Sequence, residues 1–294
     1  MRELSGRVAV VTGAASGIGR ALAVRFAAEG MALMLADVDP GGLAETAALA
    51  GKASAGPGEV LTQVTDVSDA AAVQHLADRS FGELGAVHVL CNNAGVYQGG
   101  RLWTRTAEDF AWLLGVNLWG VLHGVRAFVP RMMAQDTEGH VVNTVSVAGL
   151  LAAPGAGGYA VTKYAALAAS QSLAQDLAAV GSKLRVTALC PGAVRTRIDD
   201  SARSRPADLV STPTDDETAA REAVGAAMAR GVEPAEVAAL VVRAIHEERF
   251  LVLTHPEFAD RLRRQTELLL AGELPGATSG ARGTARSPRS RAAD

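Results

Sequence analysis

Short, almost unbroken apolar runs punctuate the chain at 7–13 (RVAVVTG), 31–37 (MALMLAD), 59–66 (EVLTQVTD), 87–93 (VHVLCNN), 140–146 (HVVNTVS), 184–190 (LRVTALC) and 249–253 (RFLVL). Apolar side chains at consecutive positions over so few residues are the pattern of strands covered on both faces, as in a parallel sheet. Between these runs, apolar positions spaced three and four apart predict helices over about 17–29, 40–50, 69–81, 106–135, 158–180 and 234–247. The two periods alternate along the chain. That alternation predicts an α/β fold: one doubly wound parallel sheet of about seven strands, with helices on both faces and right-handed crossovers.

Two stretches break the rhythm. Residues 197–232 carry polar, proline and charged positions and then a short helical pattern. An insertion of that length in a compact domain reads as functional, most simply a lid over a substrate site. From 273 the chain is rich in Gly, Ser, Pro and Arg with no apolar period, the composition of a disordered tail. The expected organisation is therefore one domain over 1–272, containing the 197–232 insertion, and an arginine-rich tail over 273–294. No internal repeat is evident.

Composition excludes several classes. With 49% hydrophobic and 20% charged residues, the chain can bury a full core. A formal net charge of −3 gives no global attraction to nucleic acid or to an anionic membrane. No apolar run reaches the length of about 18 residues that spans a bilayer, and the N-terminus enters a strand at once without the apolar core of a signal peptide. Cys91 and Cys190 each close an apolar run and read as buried thiols in strands. The six histidines show no metal-ligand spacing. The expectation is a cytoplasmic protein without metal, nucleic-acid or membrane partners.

The first strand runs into T12-G-A-A-S-G-I-G19 and then a helix. Gly13, Gly17 and Gly19 leave a turn without Cβ atoms, so backbone can approach a pair of phosphates. Ser16, Gly17, Ile18 and Gly19 bring N–H groups and the positive end of the helix dipole to the same place. The spacing is G-x-x-x-G-x-G rather than G-x-G-x-x-G, and a plain tight turn would also use glycine. Strand before and helix after are the context that favours a dinucleotide. Asp37 ends the second strand, where a carboxylate accepts from the hydroxyls of an adenosine ribose and repels a 2′-phosphate. Arg20 follows the glycines but is expected to point along its helix. These features predict NAD(H) over NADP(H).

Tyr159 and Lys163 stand four apart in a strong helical pattern, one turn apart on one face. Lysine is scarce here: three against 25 arginines. A tyrosine loses its proton only near pH of about 10. A neighbouring cation stabilises the phenolate, and a compact ammonium with three donors can also hold a ribose hydroxyl. Ser146 ends the fifth run, at the carboxyl edge where open parallel sheets bind ligands. Its hydroxyl there could hold a substrate oxygen while Tyr159 exchanges a proton with it. Tyr164 has no lysine at its own i+4 position and is set aside.

With these motifs in hand, the sequence resembles the short-chain dehydrogenase/reductase family. The matching residues are TGAASGIG, Asp66-Val67, the Asn92-Asn93-Ala94-Gly95 stretch, Asn117 in GVNLWG, Ser146, Tyr159-A-V-T-Lys163 and PGAVRT over 191–196. They fall in family order over about 7–200, and the strand–helix rhythm extends the match to about 253. The resemblance implies a Rossmann-like fold and an NAD(P)-dependent oxidoreductase that interconverts a secondary alcohol and a ketone. It implies Tyr159 as general acid/base, Lys163 lowering its pKa and binding the nicotinamide ribose, and Ser146 orienting the substrate. By the same resemblance Asn117 helps hold a water in the proton relay, and Asp66 and Val67 flank the adenine. Asn93, Ala94 and Gly95 then lie under the cofactor's ribose, and Val194 and Thr196 contact the nicotinamide amide. Asn92 reads as a tie between strands.

In the family the helices around 106–135 and 158–180 form a subunit interface, which implies a homodimer or homotetramer. Val96, Tyr97, Leu150, Leu151, Pro154 and the 197–232 segment are the expected pocket, largely apolar. Arg195 and Arg197 could meet an acid group, although surface arginines are the plainer account. The expected substrate is an uncharged, hydrophobic alcohol or ketone. Three alternatives stand beside this: an NADPH-dependent biosynthetic ketoreductase, a catalytically silent nucleotide-binding redox sensor, and an epimerase or dehydratase of the extended branch. Asp37 opposes the first. The second has no need of Ser146, Tyr159 and Lys163 together. The third carries a different glycine spacing.

Overall fold

A computed structural model describes residues 1–56 and 58–275. The expected tail falls outside the described residues, apart from its first three positions. Seven strands form one sheet in the order β3-β2-β1-β4-β5-β6-β7: β1 (Val8–Thr12), β2 (Ala32–Asp37), β3 (Val60–Val64), β4 (Val89–Asn92), β5 (Gly139–Thr144), β6 (Leu184–Cys190) and β7 (Leu251–Leu253). Every pairing is parallel. The strand order reverses between β1 and β4, which opens a crevice at their carboxyl ends.

Burial follows the two-residue period of a strand covered on both sides. Ala9, Val11, Leu33 and Leu35 pack with Leu22, Phe26, Val237, Val241 and Ile245 on one face. Val10, Met34, Leu90 and Val141 pack with Val73, Leu76, Phe128 and Met132 on the other. The helices supplying these layers are α1 (Gly17–Ala28), α2 (Pro40–Ala53), α3 (Ala70–Leu84), α5 (Gly120–Ala134), α6 (Gly157–Ala179) and α8 (Pro234–Glu247), while α4 (Ala107–Leu114) and α7 (Asp215–Met228) lie outside them. Truncating a fully buried Phe26 or Phe128 to alanine would cost about 3–5 kcal/mol.

The expected helix over 106–135 is interrupted. Between α4 and α5, Gly115–Trp119 forms a π-helical turn in which the Gly120 N–H donates to the Gly115 carbonyl. The continuous stretch Ala107–Ala134 is long and apolar enough to cross a membrane by length and composition, and half of that window is buried in the protein. The 197–232 segment is more ordered than its composition suggests. It holds short 3-10 turns at Ile198–Ser204 and Ala207–Leu209, then α7, and closes with a parallel bridge from Val232 to Val194.

The chain divides into a compact unit of Met1–Pro256 and a second from Glu257 onward. The single domain expected from the sequence extends to 272. The stretch between is α9 (Phe258–Leu270), which buries none of its residues.

Candidate active site

The glycines of the first turn meet three different constraints. Gly13 sits at φ +66, and a Cβ there would lie 2.7 Å from Ala94 Cα. Gly17 sits at φ +54 with Thr196 Cγ2 3.0 Å from where its Cβ would stand. Gly19 is helical, but a Cβ would fall 2.1 Å from the Gly13 carbonyl oxygen. Thr196 is thereby brought against the turn. Ser16 is the N-cap of α1, yet its side chain makes no cap bond and no acidic residue lies in the first turn. In α2 and α3, by contrast, Asp39 and Asp69 cap their helices with side-chain oxygens. The N–H groups of Gly17, Ile18 and Gly19 thus open a helix that its own side chains leave to an incoming anion.

Asp37 Oδ2 accepts from Ala15 N (2.9 Å) and Oδ1 accepts from Asp39 N (3.1 Å). Each oxygen keeps a lone pair for another donor. Arg20 turns towards α2: Nη2 donates to Glu45 Oε2 (2.8 Å) and to Ala15 O (2.6 Å), and Nε to Thr46 Oγ1 (3.0 Å). An uncapped helix, a turn kept clear of Cβ atoms and a carboxylate with spare acceptor capacity fit a dinucleotide.

Other predicted cofactor residues turn out to hold the site together. The Asn93 side chain donates to Thr12 O (2.9 Å) and accepts from Thr144 Oγ1 (3.2 Å), tying β1 and β5 to the end of β4. Thr12, absent from the predicted set, takes the Asn93 and Ala94 N–H groups on its Oγ1 (3.0 and 3.1 Å). Asp66 spends Oδ1 on the N–H and hydroxyl of Ser68. The Val67 carbonyl meets His123 Nδ1 at 3.0 Å. Val194 is buried in the core. Asn92 donates to Asn143 Oδ1 (2.9 Å), the strand tie read from sequence.

The catalytic candidates converge at the carboxyl edge. Lys163 is 3% exposed. Its Nζ donates to Thr144 O (2.9 Å) and lies 5.7 Å from the centre of the Tyr159 ring. Ser146 lies beside Tyr159 and favours its phenolate, and Ser146 Oγ accepts from Ala148 N (3.1 Å). Gly95 separates two functional side chains: a Cβ on it would stand 3.3 Å from Asn117 Oδ1 and 3.4 Å from Lys163 Nζ. Asn117, on the π turn, accepts from Val96 N (2.8 Å) and donates to Val96 O (2.9 Å) and Thr162 Oγ1 (3.1 Å). Tyr164 gives its hydroxyl to Leu150 O.

Burial dominates the proton affinities. It pushes the Tyr159 phenol up to about 12, with Ser146 acting the other way. It draws the Lys163 ammonium down to about 8, against the pull of the Cys190 thiol. A phenol and an amine buried together each resist charging singly; a phenolate–ammonium pair relieves both.

On the substrate side, the Tyr97 ring meets Tyr159 edge-on at 5.1 Å, and Tyr97 N donates to Ser201 Oγ of the 197–232 segment (2.9 Å). Val96, Trp112 and Leu113 cluster with Tyr159 and Leu209. Leu150 is buried and Pro154 exposed. A buried ionic cluster, invisible in the sequence, fastens the segment down. Asp109 Oδ1 accepts from Gln98 (2.9 Å), Arg205 (2.7 Å) and Ser211 (2.6 Å). Arg105 pairs with Glu217 (2.6 Å) and with Asp109 (3.6 Å). Burial alone would raise the Asp109 carboxyl, but bonds from Ser211, Thr106 N, Gln98 and Arg205 hold it well below the usual carboxylate range. The Thr106–Asp109 capping box of α4 is the one local signal that marked Asp109. Arg195 and Arg197 are also paired, with Glu233 (2.6 Å) and Asp200 (2.5 Å).

Comparison with known proteins gives this arrangement a family. The family model described as short chain dehydrogenase matches residues 7–207. The chain is 38% identical over 265 residues to a 1-deoxy-11-beta-hydroxypentalenate dehydrogenase of Streptomyces avermitilis, covering 90% of each chain. A short-chain dehydrogenase/reductase from Burkholderia phymatum, solved in complex with NAD, superposes with TM-score 0.91 at 43% identity, over 95% of this chain and 99% of that one. An alcohol dehydrogenase from Thermococcus sibiricus, complexed with 5-hydroxy-NADP, matches with TM-score 0.68 at 28% identity, over 84% and 95%. The chain belongs to the short-chain dehydrogenase family and is an oxidoreductase that acts at a hydroxyl group.

Proposed function

We propose that the protein is an NAD-linked dehydrogenase that interconverts an uncharged, largely apolar secondary alcohol with its ketone. The observation carrying the cofactor choice is Asp37, which keeps acceptor capacity at the end of β2 while Arg20, the arginine that follows the glycine turn, is paired with Glu45. A 2′-phosphate there would meet a carboxylate and no free guanidinium. Gly13, Ser16, Gly17, Ile18, Gly19 and Thr196 would hold the pyrophosphate and nicotinamide portions, with Asp66, Val67, Asn93, Ala94 and Gly95 shaping the floor between. Bound there, the nicotinamide would accept or give the hydride.

The chain's own residues handle the proton. Tyr159 takes it from the alcohol hydroxyl in oxidation and returns it in reduction. Ser146, beside Tyr159, holds the same substrate oxygen. Lys163 brings an ammonium close enough to stabilise the phenolate, which burial otherwise disfavours. Asn117 spends its amide on Val96 and Thr162, which fixes the π turn beside Tyr159 and Lys163.

The pairing of the arginines favours an uncharged substrate. Arg105, Arg195, Arg197 and Arg205 lie in or beside the segment over 197–232, and each has a carboxylate partner. A substrate anion recruited by one of these four would have to displace that partner. We read the segment as a lid closing on Tyr97 and Tyr159. Trp119, Val161 and Tyr164 expose apolar surface on or beside α5 and α6, which supports a homo-oligomer; a monomeric mass in solution would exclude it. A cytoplasmic setting agrees with the buried free thiols, and fractionation tests it.

Titration with NADH and separately with NADPH, followed by nicotinamide fluorescence, is the test. NADH should bind at least tenfold more tightly, and NAD⁺ should then support oxidation of hydrophobic secondary alcohols. Tighter NADPH binding would overturn the role of Asp37. A preference for hydroxy acids would overturn the substrate class.

A further inference from the structure

The geometry points to Thr162 as a positioning residue for the catalytic step, a role that rests on the function proposed above. Thr162 is fully buried, one position before Lys163 and three after Tyr159. Its hydroxyl has two partners. Oγ1 accepts from Asn117 Nδ2 (3.1 Å) and donates to Tyr159 O (2.8 Å). This is the bond by which the π turn carrying Asn117 is held to α6, the helix carrying Tyr159 and Lys163. Both of Asn117's remaining polar contacts go to Val96, whose neighbour Gly95 separates Asn117 from Lys163. One hydroxyl therefore fixes the spacing of three functional residues across two elements.

The chemistry of the side chain matters here. A helical threonine can return its hydroxyl to a carbonyl one turn back, which leaves its lone pairs for an incoming donor. Valine has the same shape and neither capacity. With valine at 162, the second N–H of the Asn117 amide loses its acceptor inside a buried site, where an unmet donor is costly. The π turn then has to shift or rotate Asn117 to find another partner. A shift of that kind beside a reacting centre slows the proton step and leaves the distant glycine turn as it was. Serine keeps the hydroxyl and both bonds.

The test compares Thr162→Val, Thr162→Ser and Tyr159→Phe in NAD⁺-linked alcohol oxidation, with the NADH dissociation constant and Tm measured for each. Thr162→Val should lower kcat about tenfold or more, with KM for the alcohol and NADH affinity within about twofold. Thr162→Ser should recover most of the rate. The pH at which kcat reaches half its maximum should move in Thr162→Val and return in Thr162→Ser. If Thr162→Val turns over within twofold of the parent, or Thr162→Ser is as slow as Thr162→Val, the hydroxyl has no positioning role. If Thr162→Val unfolds, the serine variant decides alone: a slow, folded Thr162→Ser overturns the inference, and one at nearly parental rate with an unmoved pH profile upholds it. Tyr159→Phe separates the two levels. A silent Tyr159→Phe beside a fully active Thr162→Val removes only this inference, whereas an active Tyr159→Phe removes the proposed function and this inference with it.

Discussion

The two sides of the site are built on opposite principles. The cofactor side, from β1 to the end of β4, is made of removed atoms: glycines where a Cβ would collide with Ala94 or the Gly13 carbonyl, and a helix start with no side-chain cap. Its geometry is carried by the sheet and by backbone. The substrate side, from Val96 to Asp109 and from Arg197 to Val232, is made of added atoms: two arginines and Asp109 buried, with Glu217 half-buried beside them. The first arrangement has little room to adjust. The second is held by contacts that can break and re-form, as a segment that admits substrate requires.

The largest effect should come from filling the rigid side. Gly13→Ala places a methyl 2.7 Å from Ala94 Cα, a backbone atom with no flexible end to move, at a φ of +66 that alanine adopts with strain. NADH affinity should fall at least a hundredfold, about 2.8 kcal/mol, with a lower Tm. Affinity within threefold of the parent, measured by nicotinamide fluorescence, would show that the turn can give and would dissolve the contrast.

The latch should respond less, and in a different constant. Glu217→Gln keeps the shape and removes one of the two charges facing Arg105. Breaking a buried pair costs about 3–5 kcal/mol, but Glu217 is 17% exposed and Asp109 remains 3.6 Å from the guanidinium, so the loss should be smaller. KM for the alcohol should rise about tenfold, NADH affinity should hold within twofold, and proteases should cut more readily between 205 and 217. The latch should also be insensitive to ordinary pH. Asp109 is a carboxylate whose folded pKa is depressed, so its contribution is present above the unfolded value and is lost only as pH falls through the depressed one. A KM that climbs already between pH 8 and 6 would place another group in control.

The same contrast explains what the sequence made legible. The glycine turn, Asp37, Tyr159 and Lys163 are local events: a strand, a turn and a helix in succession, or two residues one turn apart. Their periods are written in consecutive residues, and the strands came out within a few residues of their expected bounds. Asp109 is legible only as a helix cap. Its partners Gln98, Arg205 and Ser211 lie 11, 96 and 102 residues away, and no local pattern records that they meet. The π turn at Gly115–Trp119 was hidden in the same way, since its residues read as ordinary helix. For Asn93 the two readings are not exclusive: its side chain is committed to Thr12 and Thr144, which makes it a builder of the floor on which a ribose would lie.

The smallest expected effect tests the substrate class itself. Arg197 is 67% exposed and pairs with Asp200 three residues on, a surface pair of a kind worth about 0–1 kcal/mol. If the substrate is uncharged, Arg197→Ala should change KM for a hydrophobic alcohol by less than about twofold, because nothing in the reaction needs the guanidinium. The paired Asp200 should then be equally dispensable. A hydroxy acid assayed beside the alcohol makes the result informative either way. If the acid's KM rises tenfold in Arg197→Ala while the alcohol's is unchanged, the guanidinium leaves Asp200 to receive a carboxylate, and the flexible side of the site would be the side that selects charge.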